Sequence, residues 1–180
     1  VPTTLFDDRH RLELDGTAVE LIHVGPAHEA CDTLVWIPSE GVLFAGDALF
    51  RGCTPIGWTG TYDNWLRALE RIEELEPTVI VPGHGPICDL EGVREQRAYL
   101  EYVRSEARTF HERGVSALEA AKRIDLGPWA EWSAPARVYM NVERAYRELR
   151  GDPPDAPWNK PGAFDAIYRV ARSRGDALVF

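Results

Sequence analysis

The spacing of apolar residues in this chain is strand-like first and helical beyond Asp89, with one helix-strand unit between, and that order limits the folds open to it. Over residues 9–50 apolar residues come in short runs rich in β-branched and aromatic members, the pattern of strands separated by turns. Leu12 and Leu14 alternate with charged neighbours, and Asp15-Gly16 offers a hairpin turn before Val19, Leu21, Ile22 and Val24. Residues 33–37 and 42–45 predict two more strands around Pro38-Ser39-Glu40-Gly41, whose glycine can take the positive φ that closes a hairpin. After a loop rich in Gly, Pro and Thr, the spacing of Trp65, Leu66, Leu69, Ile72 and Leu75 predicts a helix ending before Pro77. Residues 78–81 form a short continuous apolar run, expected for a strand buried on both faces.

Beyond Asp89 the pattern is helical. One helix runs to about Arg113 and stops at Gly114, and Ser116 with Glu119 forms a capping box ahead of Leu118, Ala121 and Ile124. Residues 136–149, closed by Gly151, and residues 163–173 predict two more. Strands first and helices afterwards, with one helix-strand unit between them, point to an α+β layered fold.

Composition narrows the function classes. Across 180 residues, 44% are hydrophobic and 27% charged, the balance of a globular protein. A formal charge of -9 argues against nucleic acid and anionic membrane surfaces as partners, and no apolar run approaches the roughly 20 residues that span a bilayer. Cys31, Cys53 and Cys88 are an odd number at no zinc-finger or redox-motif spacing, so a reducing, cytoplasmic setting is expected. The chain begins at Val1 with no charged-then-apolar leader, which reads as a cut product, a fragment or a processed subunit.

Three short stretches place a possible metal ligand in a glycine-containing turn beside a predicted strand: Gly25-Pro26-Ala27-His28, Gly46-Asp47 and Pro82-Gly83-His84-Gly85. Each ligand is expected at a strand end, where a rigid sheet holds the backbone and the side chain projects over the edge. Imidazole and carboxylate are donors suited to zinc, iron or manganese. The intervals are too long for one helix or loop, so the three side chains can converge only through tertiary folding. Taken singly, each also has a plain reading as a surface histidine or a turn aspartate. His10, His23 and His111 fit such plain readings and are left out.

In order and spacing, the stretch Gly25-Pro26-Ala27-His28-Glu29-Ala30-Cys31-Asp32-Thr33-Leu34-Val35-Trp36, then Val42-Leu43-Phe44-Ala45-Gly46-Asp47-Ala48-Leu49-Phe50, then Val81-Pro82-Gly83-His84-Gly85-Pro86 resembles the metallo-β-lactamase fold superfamily. The resemblance runs from about Arg9 to about Tyr102. It implies that His28 and His84 bind a first and a second metal and that Asp47 bridges them. Two divalent ions would be expected, zinc first, with iron or manganese as alternatives. It further implies that Asp32 supports the loop carrying His28 and fixes its imidazole tautomer. The plain alternative for Asp32 is a turn before Thr33.

The family's His-x-His-x-Asp-His motif has no counterpart in residues 1–24. The expected architecture is therefore half of an αββα sandwich, a mixed β-sheet flanked by helices. Residues 1–114 would form the C-terminal half of that domain, and residues 115–180 a helical extension packed on it. Such a half would leave a sheet face uncovered, so an N-terminal half is expected as partner, on a separate chain or as a cleavage product. A homo-oligomer is also open.

The implied function is a hydrolase of a small-molecule ester, lactone, thioester or related bond, using a metal-activated water and active only when completed. Two alternatives share the scaffold: an iron-dependent oxidoreductase and a metal-free binding or assembly subunit. Cys53, Trp58 and Tyr62 are candidates for the pocket wall, and Trp129, Trp132, Arg137, Tyr139 and Asn141 for a cap, a dimer surface or plain packing of the helices.

Overall fold

The computed structural model describes residues 2–177, so Val1 and the last three residues of the 115–180 segment lie outside the described residues. A single five-stranded sheet runs in sequence order: β1 (Arg9–Leu14), β2 (Thr17–His23), β3 (Thr33–Ile37), β4 (Val42–Phe50) and β5 (Val79–His84). The first four strands are antiparallel neighbours joined by short connections, with Asp15 and Gly16 both at positive φ in the first hairpin turn. β5 pairs in parallel with β4 after the crossover helix α1 (Tyr62–Glu74), so the sheet is mixed.

The helices then follow: α2 (Leu90–Glu112), α3 (Ala117–Arg123), α4 (Val138–Arg150) and α5 (Lys160–Arg174), with two short 3-10 turns at Gly127–Glu131 and Pro135–Arg137. Polar caps set the starts of α1, α2, α3 and α5, whereas α4 continues directly from the second 3-10 turn without a side-chain cap. The side chains of Thr61, Asp89, Ser116 and Asn159 accept the backbone N–H groups of Asn64, Glu91, Glu119 and Gly162, which would otherwise lack partners. α4 and α5 end at Gly151 and Gly175 in the left-handed conformation.

The two faces of the sheet differ. On one, Ile22, Leu34, Trp36, Leu43, Ala45 and Ile80 are buried in a core shared with Trp65, Leu69 and Ile72 of α1 and Val93 and Leu100 of α2. That core continues through the later helices to Ala171. On the other face, strand register aligns Leu21, Val35, Phe44 and Val81 in one row and Leu12, Val19, Ile37, Val42 and Val79 in the next. Apart from Val19 these side chains are partly or largely exposed, Phe44 at 43%. α3, α4 and α5 pack on other helices and on the 3-10 turns, so this apolar face carries no helical cover within the described residues.

Two expectations need correction. The fourth strand does not stop at residue 45 but reaches Phe50, because the chain absorbs an irregularity at Gly46 and stays beside β5. The last strand is not buried on both faces. It is the edge strand, paired with β4 on one side and bridged at Ile80 to Cys88 on the other, and Val79 is 36% exposed while Ile80 is fully buried. Among the described residues no helix is long and apolar enough to cross a membrane.

Candidate metal centre

His28, Asp47 and His84 meet at the end of the sheet. His28 Nδ1 lies 3.6 Å from Asp47 Oδ2, and His84 Nε2 lies 3.4 Å from Asp47 Oδ1. One carboxylate therefore faces two imidazoles, one per oxygen. Phe50 lies beside both rings, stacked on His84 at 4.8 Å between centroids and tilted toward His28 at 6.1 Å. Its ring is buried, whereas the side chains of Asp47 and His84 are 35% and 53% exposed. The site is thus supported from below and open above.

Each of the three side chains is held differently. His28 sits in the loop between β2 and β3, and Asp32 gathers that loop. Asp32 Oδ2 accepts the backbone N–H groups of Ala27 (3.0 Å), His28 (2.6 Å) and Glu29 (2.9 Å), while its backbone carbonyl accepts from Val24 and Gly25. The expected support of the His28 loop by Asp32 thus takes the form of backbone hydrogen bonds, with no bond to the imidazole. On the far side of the loop, Trp58 N donates to His28 O at 2.6 Å.

Asp47 lies inside β4 and not at its end, which departs from the sequence expectation. The pairing with β5 shifts on both sides of it, and Gly46 takes φ +52, a conformation that an L side chain rarely adopts. Past this bulge, side chains replace ladder partners for the buried backbone. Phe50 N donates to Gln96 Oε1 (2.7 Å), and Ala48 O accepts from Gln96 Nε2 (3.0 Å) and Trp65 Nε1 (2.8 Å).

His84 is the last residue of β5, as expected, with its carbonyl accepting from Arg51 N at 2.9 Å. Gly83 must be glycine for the carboxylate to sit where it does. A Cβ at this position would overlap Asp47 Oδ1 and crowd the backbone at Gly46 and Asp47.

The donors are imidazole nitrogen and carboxylate oxygen, chemistry that suits a first-row divalent ion. They fit two partial sets: one histidine and one aspartate oxygen on each side. Among the described residues no group of three or more His, Cys, Asp or Glu side chains is arranged to hold a single ion. Three protein ligands are the norm at a catalytic zinc, so each side lacks at least one.

The cysteines do not supply them. Cys31 is exposed, and burial pushes the thiols of Cys53 and Cys88 above their usual range, which disfavours the thiolate. Tyr62 is buried and donates to Asn141 O, and Asn141 Nδ2 donates to Pro55 O and meets the hydroxyl of Tyr99. Trp129 and Trp132 pack on Tyr99, and Trp129 also packs on Tyr102. These residues join helices to the core. Trp58 packs against Trp158 and Phe164.

Sequence reading missed three polar residues that organise this region: Gln96 and Arg144, which are buried, and the partly buried Glu148. The Glu148 carboxylate accepts from Tyr62 N at 2.5 Å at the start of α1, and its own burial raises its pKa. Arg144, 4% exposed, reaches the carbonyls beside His28. A charged residue on an otherwise apolar helix face was the available signal, and it names no partner.

The sequence model of the Metallo-beta-lactamase superfamily matches residues 2–84. Among curated proteins the chain is 28% identical over 152 residues to the Beta-lactamase-like protein 2 homolog of Caenorhabditis elegans, an alignment covering 81% of this chain and 49% of that protein. It is also 28% identical over 114 residues to the Metallo-beta-lactamase type 2 of Bacteroides fragilis, covering 60% and 46%. The chain thus spans about half the length of these relatives.

Among solved structures, a metallo-beta-lactamase family protein from Thermus thermophilus superposes with a TM-score of 0.62 at 21% identity, covering 81% of this chain and 49% of that one. The stereoselective inverting sec-alkylsulfatase Pisa1 from Pseudomonas sp. gives 0.66 at 17% identity, covering 98% and 31%. At such identities the likeness is one of fold, and in the second case it includes the C-terminal helices.

Proposed function

We propose that this chain, whose residues 2–84 match the metallo-β-lactamase superfamily model, is part of a metal-dependent hydrolase and contributes a shared carboxylate and two histidines to a two-metal site. The observation that carries this is the placement of His28 and His84 against opposite oxygens of Asp47. His28 and Asp47 Oδ2 would hold one ion, and His84 and Asp47 Oδ1 the other. Two divalent ions bound there supply a water acidic enough to act near neutral pH and polarise a carbonyl or phosphoryl oxygen. Zinc is the first expectation.

The chain's own residues do the positioning. Asp32 fixes the His28 backbone, Gly83 leaves room for the Asp47 carboxylate, and Phe50 supports both imidazoles. No serine or cysteine nucleophile is invoked, in keeping with the raised thiol pKa values of Cys53 and Cys88. The substrate class is an ester, lactone, thioester or related bond in a small molecule.

The remaining ligands come from a second sheet that packs on the exposed apolar face around Phe44, Val35 and Val79. Its exposure supports this, as does the half-length match to the relatives. Whether that sheet belongs to the same polypeptide or to another chain, the site works only when it is present.

The test is hydrolysis of an ester, lactone and thioester panel by the completed protein, before and after chelation and with zinc restored. Metal-dependent turnover that falls at least 100-fold in D47A supports the reading. Turnover with tightly bound iron and an oxidant would favour a redox function. Absence of metal and of turnover in the completed protein would overturn the hydrolase.

A further inference from the structure

We infer that Arg144 of α4 is a positioning residue for His28, through which the helical segment sets the geometry of the ligand loop; this rests on His28 being a metal ligand. Arg144 is 4% exposed and lies far from the loop in sequence. Its Nη2 donates to Ala27 O at 2.8 Å, the carbonyl of the residue before His28. The same nitrogen donates to Thr59 O, and Nε donates to Gly60 O at 3.3 Å. Trp58, next to these two residues, donates its N–H to His28 O. One planar guanidinium therefore fixes both strands of chain that enclose His28.

The other side of the guanidinium lies over the Trp65 ring, 5.0 Å from its centroid, and Trp65 in turn donates to Ala48 O beside Asp47. His28 and Asp47 are thus referenced to the same buried group. Its acceptors are carbonyls, and among the described residues no carboxylate hydrogen-bonds it. Lysine, a point charge on a flexible stem, cannot reproduce a fork that reaches three carbonyls of two segments. The close approach at Gly57, where a Cβ would overlap Arg144 Nη1, shows that the loop is shaped around the guanidinium.

The experiment compares R144K and R144Q with V142A, which removes buried volume from the same helix two positions from Arg144, on a different face. Imidazole resonances of the full chain without metal are recorded by long-range 1H–15N correlation, together with the melting temperature, and zinc affinity of the completed protein is measured by chelator competition. R144K is expected to shift the His28 ring signals, leave those of His84 in place and weaken zinc binding at least tenfold. V142A should lower the melting temperature and leave rings and affinity within twofold of the parent.

Identical behaviour of R144K and V142A would overturn the inference, as would loss of the fold in both R144K and R144Q by near-UV circular dichroism. If the completed parent protein binds no zinc, the hydrolase reading fails separately, and the ring signals still decide the role of Arg144.

Discussion

His28 and His84 face the same carboxylate, yet they are built in opposite ways. His84 ends a strand, and its position follows from the pairing of β5 with β4 and from the missing Cβ at Gly83. His28 sits in a loop that no ladder supports, and it depends on side chains: Asp32 from within the loop and Arg144 from a distant helix. A ligand on a strand end needs only local backbone geometry. A ligand on a loop needs a set of polar contacts, each of which can be removed singly.

The largest effect should come from the strand side. G83A places a Cβ onto Asp47 Oδ1, so the carboxylate or the strand must move. The expected outcome is a loss of at least 100-fold in metal affinity and about 2–4 kcal/mol of stability, read by chelator competition and urea unfolding. Near-parental metal binding in G83A would break the claim that backbone geometry alone sets this half of the site.

Next comes the loop side. D32A leaves three backbone N–H groups without their acceptor, which should cost about 2–3 kcal/mol and move the His28 resonances while leaving His84 unchanged. D32N, which keeps one oxygen in place without the charge, should fall between D32A and the parent. Equal disturbance of both histidines would erase the contrast.

A third change tests what holds Asp47's strand beyond the bulge. Q96L strands Phe50 N and removes one of two donors to Ala48 O, for an expected loss of about 1–3 kcal/mol by thermal unfolding.

The smallest effect lies outside both regions. A hydrogen bond from Arg104 holds the Asp63 carboxyl below its usual range. Its folded pKa is depressed, so its contribution is present above the unfolded value near 4 and is lost as pH falls through the folded value. Because Asp63 is largely exposed, D63N should cost less than about 1 kcal/mol at pH 7, and the difference from the parent should shrink as pH falls below the unfolded value.

The same contrast explains what the sequence made legible. The hairpin at Asp15-Gly16, the Ser116 cap and the Gly151 stop are local signals, and each lies where its residue type predicts. The convergence of His28, Asp47 and His84 followed from ordered motifs in a family resemblance. The bulge at Gly46 was not legible, because a lone glycine marks a strand end and a bulge equally well. Nor was the exposure of Val79, since an apolar run does not reveal whether both faces of its strand are covered. Arg144 and Gln96 act across long stretches of chain, and nothing beside them in sequence names Ala27 or Phe50.

The central claim is that Asp47 is shared between two metal positions. Native mass spectrometry with elemental analysis of the completed protein reads it directly, since it counts both polypeptides and ions in each assembly. The account predicts two divalent ions in the parent, one in H28A, one in H84A and none retained in D47A. Two ions retained in D47A, or none in the parent, would contradict it.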